Sequence, residues 1–168
     1  MMISDGLNKA VNAQIGREFG AHFQYVQIAV FFDDLGMKQT AQFFYNQADE
    51  EHQHAMKFLK YVVDTGGQVV IPAISAPKAT FSSAEEAVQL SLTWEQEVTR
   101  QINNLMDIAV SEKDYAAQQF LNWFTNEQIE EVSTMETLLK IVRQIQDKNL
   151  FMFENIIANM GTPAEGEA

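Results

Sequence analysis

A chain of 168 residues with 11 Lys and Arg against 23 Asp and Glu carries a formal charge of −12, which repels nucleic acid and anionic membrane surfaces and attracts cations. With no cysteine, disulfides, iron–sulfur clusters, thiolate metal sites and cysteine nucleophiles are excluded, so any metal must bind through carboxylate, amide or imidazole. The N-terminus lacks an apolar run of signal-peptide length, and nowhere do about 18 consecutive apolar residues suggest a membrane span; the expectation is a soluble, cytoplasmic protein.

Glycine and proline punctuate the chain unevenly. Gly66, Gly67, Pro72 and Pro77 fall together, and neither residue type recurs between Pro77 and Gly161. The pattern predicts a first helix over about Ser4 to Leu35 and a second over about Lys38 to Thr65, separated by Gly36. A third starts near Ser82 or Ser83, where Ser82 with Glu85, or Ser83 with Glu86, offers a capping box, and runs to about Ser111. Asp114 is the next N-cap, for a fourth helix reaching about Gln146. A short fifth, about Asn149 to Asn159, is apolar around much of its circumference, and the tail from Gly161 to Ala168 reads as disordered.

The link from about Gly67 to Phe81 sets the topology. Antiparallel neighbours in a bundle need only a few connecting residues, whereas this link, fully extended, spans up to about 50 Å, longer than a helix of about 42 Å. The expectation is an all-α four-helix bundle of two antiparallel pairs, with one long crossover between the second and third helices and a short fifth helix at the C-terminus.

Each long helix carries acid on its inward line. The second has Ala41, Phe44, Ala48, Ala55, Phe58 and Val62 at a 3.5-residue repeat, with Glu51 in the missing place. Glu18 lies on the first helix's stripe of Val11, Ile15, Tyr25, Ala29 and Phe32. Glu95 lies on the third's, formed by Val88, Leu92, Val98, Ile102 and Leu105. The fourth, with Ala117, Phe120, Phe124, Leu138, Val142 and Ile145, is interrupted by Glu127 and Glu131. Burying one uncompensated carboxylate costs several kcal/mol, so four in one layer would consume a domain's whole stability of about 5–15 kcal/mol. Arg17 points about 100° away from Glu18 on a helix and Arg100 lies off its stripe. Bound cations are the economical solution.

Glu51 and His54, three apart, share a helix face and can ligate one ion, while His52 points elsewhere. Glu18, Glu51, Glu95 and Glu131 supply the charge that two divalent ions neutralise, with Glu51 placed to bridge. Glu50, Glu127 and Glu130, joined by Glu131, offer oxygen ligands for a weaker third site. Oxygen-rich ligation with one imidazole suits Fe²⁺, Mn²⁺ or, less selectively, Zn²⁺. The intervals Glu18 to Glu51 and Glu95 to Glu127, 33 and 32 residues, give the two halves matching layouts, except that Glu130 stands where a second Glu-x-x-His would put its histidine.

Four motifs, Glu18…Tyr25, Glu50-Glu51-x-x-His54, Trp94-Glu95-Gln96 followed by Thr99-Arg100-Gln101-Ile102-Asn103, and Trp123…Glu127-Gln128-x-Glu130-Glu131, resemble the bacterial non-haem ferritins over nearly the whole chain. The resemblance implies that residues 1–160 form a ferritin-like diiron domain, with iron storage and detoxification as its function. It implies a ferroxidase that oxidises Fe²⁺ with dioxygen or hydrogen peroxide at a centre inside each subunit, and a 24-subunit homo-oligomeric shell holding ferric mineral. Carried over, one iron site takes Glu18, Glu51 and His54. The second takes Glu51, Glu95 and Glu131, with Gln128 close by, and the third Glu50, Glu127, Glu130 and Glu131. Tyr25 matches a tyrosine credited with electron donation; Trp123 is a candidate to assist it, though a large aromatic at helical spacing is more often simply core. His52 occupies the place of the bacterioferritin haem-ligating methionine, so no haem is expected, and His22 reads as a satisfied helix-face residue. Gly16 and Gly20 suggest close helix approach between subunits. A diiron or manganese oxidase or peroxide-reducing protein of smaller oligomeric state, or a non-catalytic helical scaffold, remain alternatives.

Overall fold

A computed structural model describes residues 2–146 and 148–160 as five helices with no strand among them: α1 (Asp5–Asp34), α2 (Lys38–Asp64), α3 (Ala84–Ser111), α4 (Tyr115–Ile145) and α5 (Leu150–Met160). The segment Gly161 to Ala168, expected to be disordered, lies outside the described residues. The fold is all-α, and α1 packs on α2, α3 on α4, and α1 across onto α3, while α5 lies against α2 and α4. No described helix is long and apolar enough to cross a membrane.

The helix ends follow from their local sequence. Ser4 Oγ accepts from the Leu7 amide at 3.0 Å, and Asp114 Oδ1 from the Ala117 amide at 2.9 Å. Of the two capping boxes expected for α3, the one built on Ser83 forms: Ser83 Oγ accepts from the Glu86 amide at 3.0 Å, and Glu86 reaches back to the amide and hydroxyl of Ser82. Gly36 and Gly66 end α1 and α2 with φ of +76° and +75°, a left-handed conformation that side chains other than glycine adopt only at a cost. Met37, at the start of α2, has no capping side chain. The job falls to Glu154 of α5, whose carboxylate accepts from the amides of Gln39 and Thr40 at 2.6 and 2.9 Å and from Thr40 Oγ1 at 2.6 Å. That capping ties the short fifth helix to the bundle electrostatically, and Phe153 and Ile157 add their burial.

The crossover lies along α1. Asn12 clamps it first, donating to the Gln68 carbonyl at 2.8 Å and accepting from the Val70 amide at 2.7 Å. Three turns on, Gln24 does the same, accepting from the Lys78 amide at 2.8 Å and donating to its carbonyl at 3.3 Å. Between the clamps the chain presses close: a Cβ on Gly16 would sit 2.3 Å from Pro72 Cγ, and one on Gly20 3.6 Å from Trp94 and 3.9 Å from Ile74. At Gly16 the bare backbone is needed within the chain itself, to admit the protein's own crossover, whereas at Gly20 a Cβ would make only ordinary contacts with Trp94 and Ile74.

The core is divided. Toward one end Phe32, Phe44, Val88, Met135, Leu138 and Phe153 belong to one apolar cluster; toward the other Leu7, Ile15, Phe58, Ile102, Leu121 and Phe124 belong to a second. The inward line of α4 corrects the sequence reading. It runs through Ala117, Leu121, Phe124, Gln128, Glu131, Met135, Leu138 and Val142, leaving Phe120, Glu127 and Ile145 only half-buried. Because Gly16 is closed over by proline carbons with no room to give, Gly16→Ala is expected to destabilise the fold by about 1–3 kcal/mol, seen as a lower denaturation midpoint. An unchanged midpoint would show that the crossover lifts freely from α1.

Candidate metal centre

Between the two apolar clusters lies a polar layer to which all four long helices contribute. Glu18 of α1, Glu51 and His54 of α2, Glu95 of α3, and Gln128 and Glu131 of α4 are buried, each no more than 6 % exposed. Their registers explain this. All but His54, which lies beside the repeat position held by Ala55, occupy positions of the 3.5-residue inward repeat that elsewhere holds Ala, Val, Leu or Phe.

Glu18, Glu51 and His54 each present a ligand atom within 4.8 Å of the others. Among the described residues they form the one such group of acids and histidines. Glu18 Oε1 accepts from Gln14 Nε2 at 2.8 Å, and Gln14 Oε1 in turn accepts from Arg17 at 3.2 Å, so the guanidinium makes no direct hydrogen bond to Glu18 and reaches it only by its charge. Glu18 Oε2 and Glu51 Oε2 are buried without a hydrogen-bond donor. His54 Nδ1 is 3.5 Å from that Glu51 oxygen, and its ring packs edge-on against Trp123 and Phe124, with centroids 5.5 and 5.6 Å away.

The other side of the layer is knit around Glu95. The Tyr25 hydroxyl donates to Glu95 Oε1. Gln128 Nε2 lies 3.2 Å from both the backbone carbonyl and Oε2 of Glu95, and 3.4 Å from Thr99 Oγ1. Glu131 is buried on the next turn of α4 beyond Gln128. The residues expected to form a third site are spread over a gradient instead: Glu131 is buried, Glu50 and Glu127 half-buried, and Glu130 exposed. Glu50 accepts a hydrogen bond from Gln47.

His22 and His52 stand outside the layer. His22 is half-buried with Nδ1 2.7 Å from the Ala48 carbonyl, while His52 is exposed, their ring centroids 5.8 Å apart. Trp123 is half-buried, and Lys57 Nζ sits 3.3 Å from the centroid of its ring. Sequence reading missed the buried amides Gln14 and Gln47 and the position of Lys57. Gln14 is detectable as the residue one turn before Glu18 on the same face. Lys57 follows His54 by three residues, but nothing in the sequence says that α4 brings Trp123 beneath it.

Burial raises the carboxyl pKa values throughout. Glu51 is held well above the usual range by loss of water and then by the charges of Glu95, Glu18 and Glu131. Glu131 is likewise held well up, by burial and then by Glu95 and Glu50. Glu95 reaches about 7 through burial, against the opposing hydrogen bond from Tyr25. Glu18 rises for the same reason, moderated by the neighbouring Glu51 carboxyl, by the hydrogen bond from Gln14 and by the charge of Arg17. All four coupled carboxyls are therefore shifted toward holding protons when no cation is bound. Burial, with Lys57 adding to it, pushes the His54 imidazole down to about 4, leaving it neutral and ready to donate a lone pair at neutral pH. Tyr25 is held well above its ordinary value by burial and by Glu95.

A metal ion entering such a layer would have to displace protons. Acids raised in the folded state favour folding while they hold protons. That contribution is complete below about pH 4.5 and is lost as pH climbs through about 7 and above, where the unfolded chain ionises freely. Without metal, stability is expected to decline over this window, and a divalent cation should restore it. Calorimetry of Zn²⁺ or anaerobic Fe²⁺ binding at pH 6.5, in buffers of different ionisation heat, should register protons released, and fewer at pH 8.5. Binding without proton release at the lower pH would contradict the raised carboxyl values.

The ferritin-like domain model matches residues 8–145. The bacterial non-heme ferritin of Staphylococcus aureus is 41 % identical over 155 residues, covering 91 % of this chain and 93 % of the relative. Ferritin BfrB of Mycolicibacterium smegmatis is 41 % identical over 148 residues, covering 88 % and 81 %. Among solved structures, an open-pore ferritin of the hyperthermophilic archaeon Archaeoglobus fulgidus superposes with a TM-score of 0.89 at 30 % identity, over 94 % of this chain and 98 % of that one. A humanized archaeal ferritin gives 0.90 at 29 %, over 96 % and 99 %.

Proposed function

The chain belongs to the ferritin family, and from that premise we propose that it stores iron and acts as a ferroxidase, oxidising Fe²⁺ at the buried layer and passing the Fe³⁺ to a mineral inside a 24-subunit shell. The observation that carries this reading is the pair of donor-less oxygens on Glu18 and Glu51 beside the neutral imidazole of His54, in a core with no basic side chain to balance them. Iron is the substrate here. One Fe²⁺ is held by Glu18, Glu51 and His54, and a second by Glu51 as bridge, Glu95 and Glu131, with Gln128 adjacent. Two Fe²⁺ supply two electrons, and dioxygen with two protons leaves as hydrogen peroxide. Carboxylates drive the step because their charge stabilises Fe³⁺ more than Fe²⁺.

Protons held by the empty layer leave as iron enters, so the site gains its full charge only when cations are there to use it. Tyr25 is placed to give up an electron with its proton passing to Glu95. Glu50, Glu127 and Glu130 would serve a third iron held more loosely, since water already hydrates part of that set. Assembly is supported by the apolar surface left uncovered on α5, where Phe151 is 74 % exposed and Met152 52 %.

Aerobic addition of Fe²⁺ tests the whole reading: an amber ferric product should form faster than in buffer, in a particle whose mass by light scattering matches 24 subunits. A small oligomer with no retained iron would instead favour an oxidase acting on another substrate. Glu51→Ala should slow initial Fe²⁺ oxidation by about tenfold or more, as expected for loss of a bridging ligand, while leaving assembly intact because it also relieves crowded charge. Unchanged initial rates would remove Glu51 from the centre. Glu130→Ala is expected to alter the ratio of iron oxidised to dioxygen consumed more than the rate of the first oxidation. An identical ratio would remove Glu130 from any third site.

A further inference from the structure

The buried layer is flanked by two side chains able to lose an electron, and their surroundings oppose one another. Tyr25 donates its hydroxyl proton to Glu95, so a base stands ready when the phenol is oxidised. Trp123 lies on the other side, edge-on to His54 with ring centroids 5.5 Å apart. Over its face sits a cation, Lys57 Nζ, 3.3 Å from the ring centroid. An ammonium at that distance is attracted to the electron-rich face of the neutral indole and repelled by the positive charge that one-electron oxidation would leave there. Lys57 is held in place from both ends of the contact. Its own helix fixes it one turn beyond His54, and Glu127, one turn beyond Trp123 on α4, attracts it.

We propose that Lys57 is a positioning residue that keeps Trp123 reduced, so that oxidising equivalents arising at the layer are taken by Tyr25 and not by the indole. The inference rests on the ferroxidase reading for the source of those equivalents. Peroxide formed at the site reacts with further Fe²⁺ to give Fe³⁺, hydroxide and a hydroxyl radical. The radical takes one electron from a side chain and becomes hydroxide. If the donor is Trp123, the indole becomes a radical cation under the ammonium. If the donor is Tyr25, its proton passes to Glu95 and a neutral phenoxyl remains. The first product is opposed by Lys57, and the second creates no charge beneath it.

The test uses the assembled protein in a Trp94→Phe background, so that Trp123 is the one tryptophan, and compares Lys57→Leu, which keeps the ring covered without charge, with Lys57→Arg, which keeps the charge. In the first arm, without iron, a photogenerated one-electron oxidant in solution attacks the protein, and transient absorption measures the indole radical. Lys57→Leu should raise its yield about tenfold while Lys57→Arg stays near the parent; equal yields in all three overturn the proposal. In the second arm, cycles of Fe²⁺ and hydrogen peroxide are followed by peptide mass spectrometry of Trp123. A parallel rise in oxidised Trp123 for Lys57→Leu, reversed by Lys57→Arg, supports the proposal at the working site. A rise confined to the first arm upholds the effect of Lys57 on the indole and rejects the layer as the source of oxidant, which separates failure of this proposal from failure of the ferroxidase reading.

Discussion

Four carboxyl groups buried in one layer without a cationic side chain among them is the constraint on which the rest of this structure turns. Glu18, Glu51, Glu95 and Glu131 each replace an apolar residue on an inward repeat, one from each long helix. Left ionised they would repel one another in a medium that screens poorly. Burial shifts all four toward their protonated forms, which eases that repulsion. Were divalent ions to replace those protons, as the proposed function requires, charge neutrality would itself be the binding force. The two apolar clusters on either side then carry the stability that the layer does not supply.

Holding that layer in register requires stiff helices, and much of the remaining structure serves this end. The crossover is fastened to α1 on both sides of Glu18, by Asn12 six residues before it and by Gln24 six residues after it, with Pro72 pressed against Gly16 between them. Opposite, Glu154 of α5 fixes the first turn of α2, the helix that carries both Glu51 and His54. These contacts lie outside the layer, so they constrain where its carboxylates stand without competing for their oxygens.

Much of this was legible in the sequence because the 3.5-residue repeat is unambiguous on α1, α2 and α3: every apolar position read as inward there is buried, and so are Glu18, Glu51 and Glu95. The fourth helix misled in an instructive way. Its acids, Glu127, Glu130 and Glu131, drew the inward line to Glu127, whereas the buried position is Gln128, one residue and about 100° further around. An amide beside three acids gives no signal of burial. What reveals it is Glu95, a partner supplied by another helix. Gly16 shows a related limit. A missing side chain announces a close approach, but its spacing along one helix does not say whether a neighbouring subunit or the chain's own crossover makes it.

The same limit applies to the aromatic and basic groups around His54. Local spacing puts Glu51 and His54 on one face, since both belong to α2, yet Trp123 and Phe124 meet that imidazole from α4 and are separated from it by about seventy residues of chain. Their effect is to keep water from the ring, which together with Lys57 lowers the His54 pKa to about 4. A neutral imidazole is what a metal-binding histidine must offer. The layer is therefore prepared from two opposite directions by one physical cause. Loss of water shifts the acids toward their protonated forms and the histidine toward its neutral one, the state from which the proposed iron binding would start.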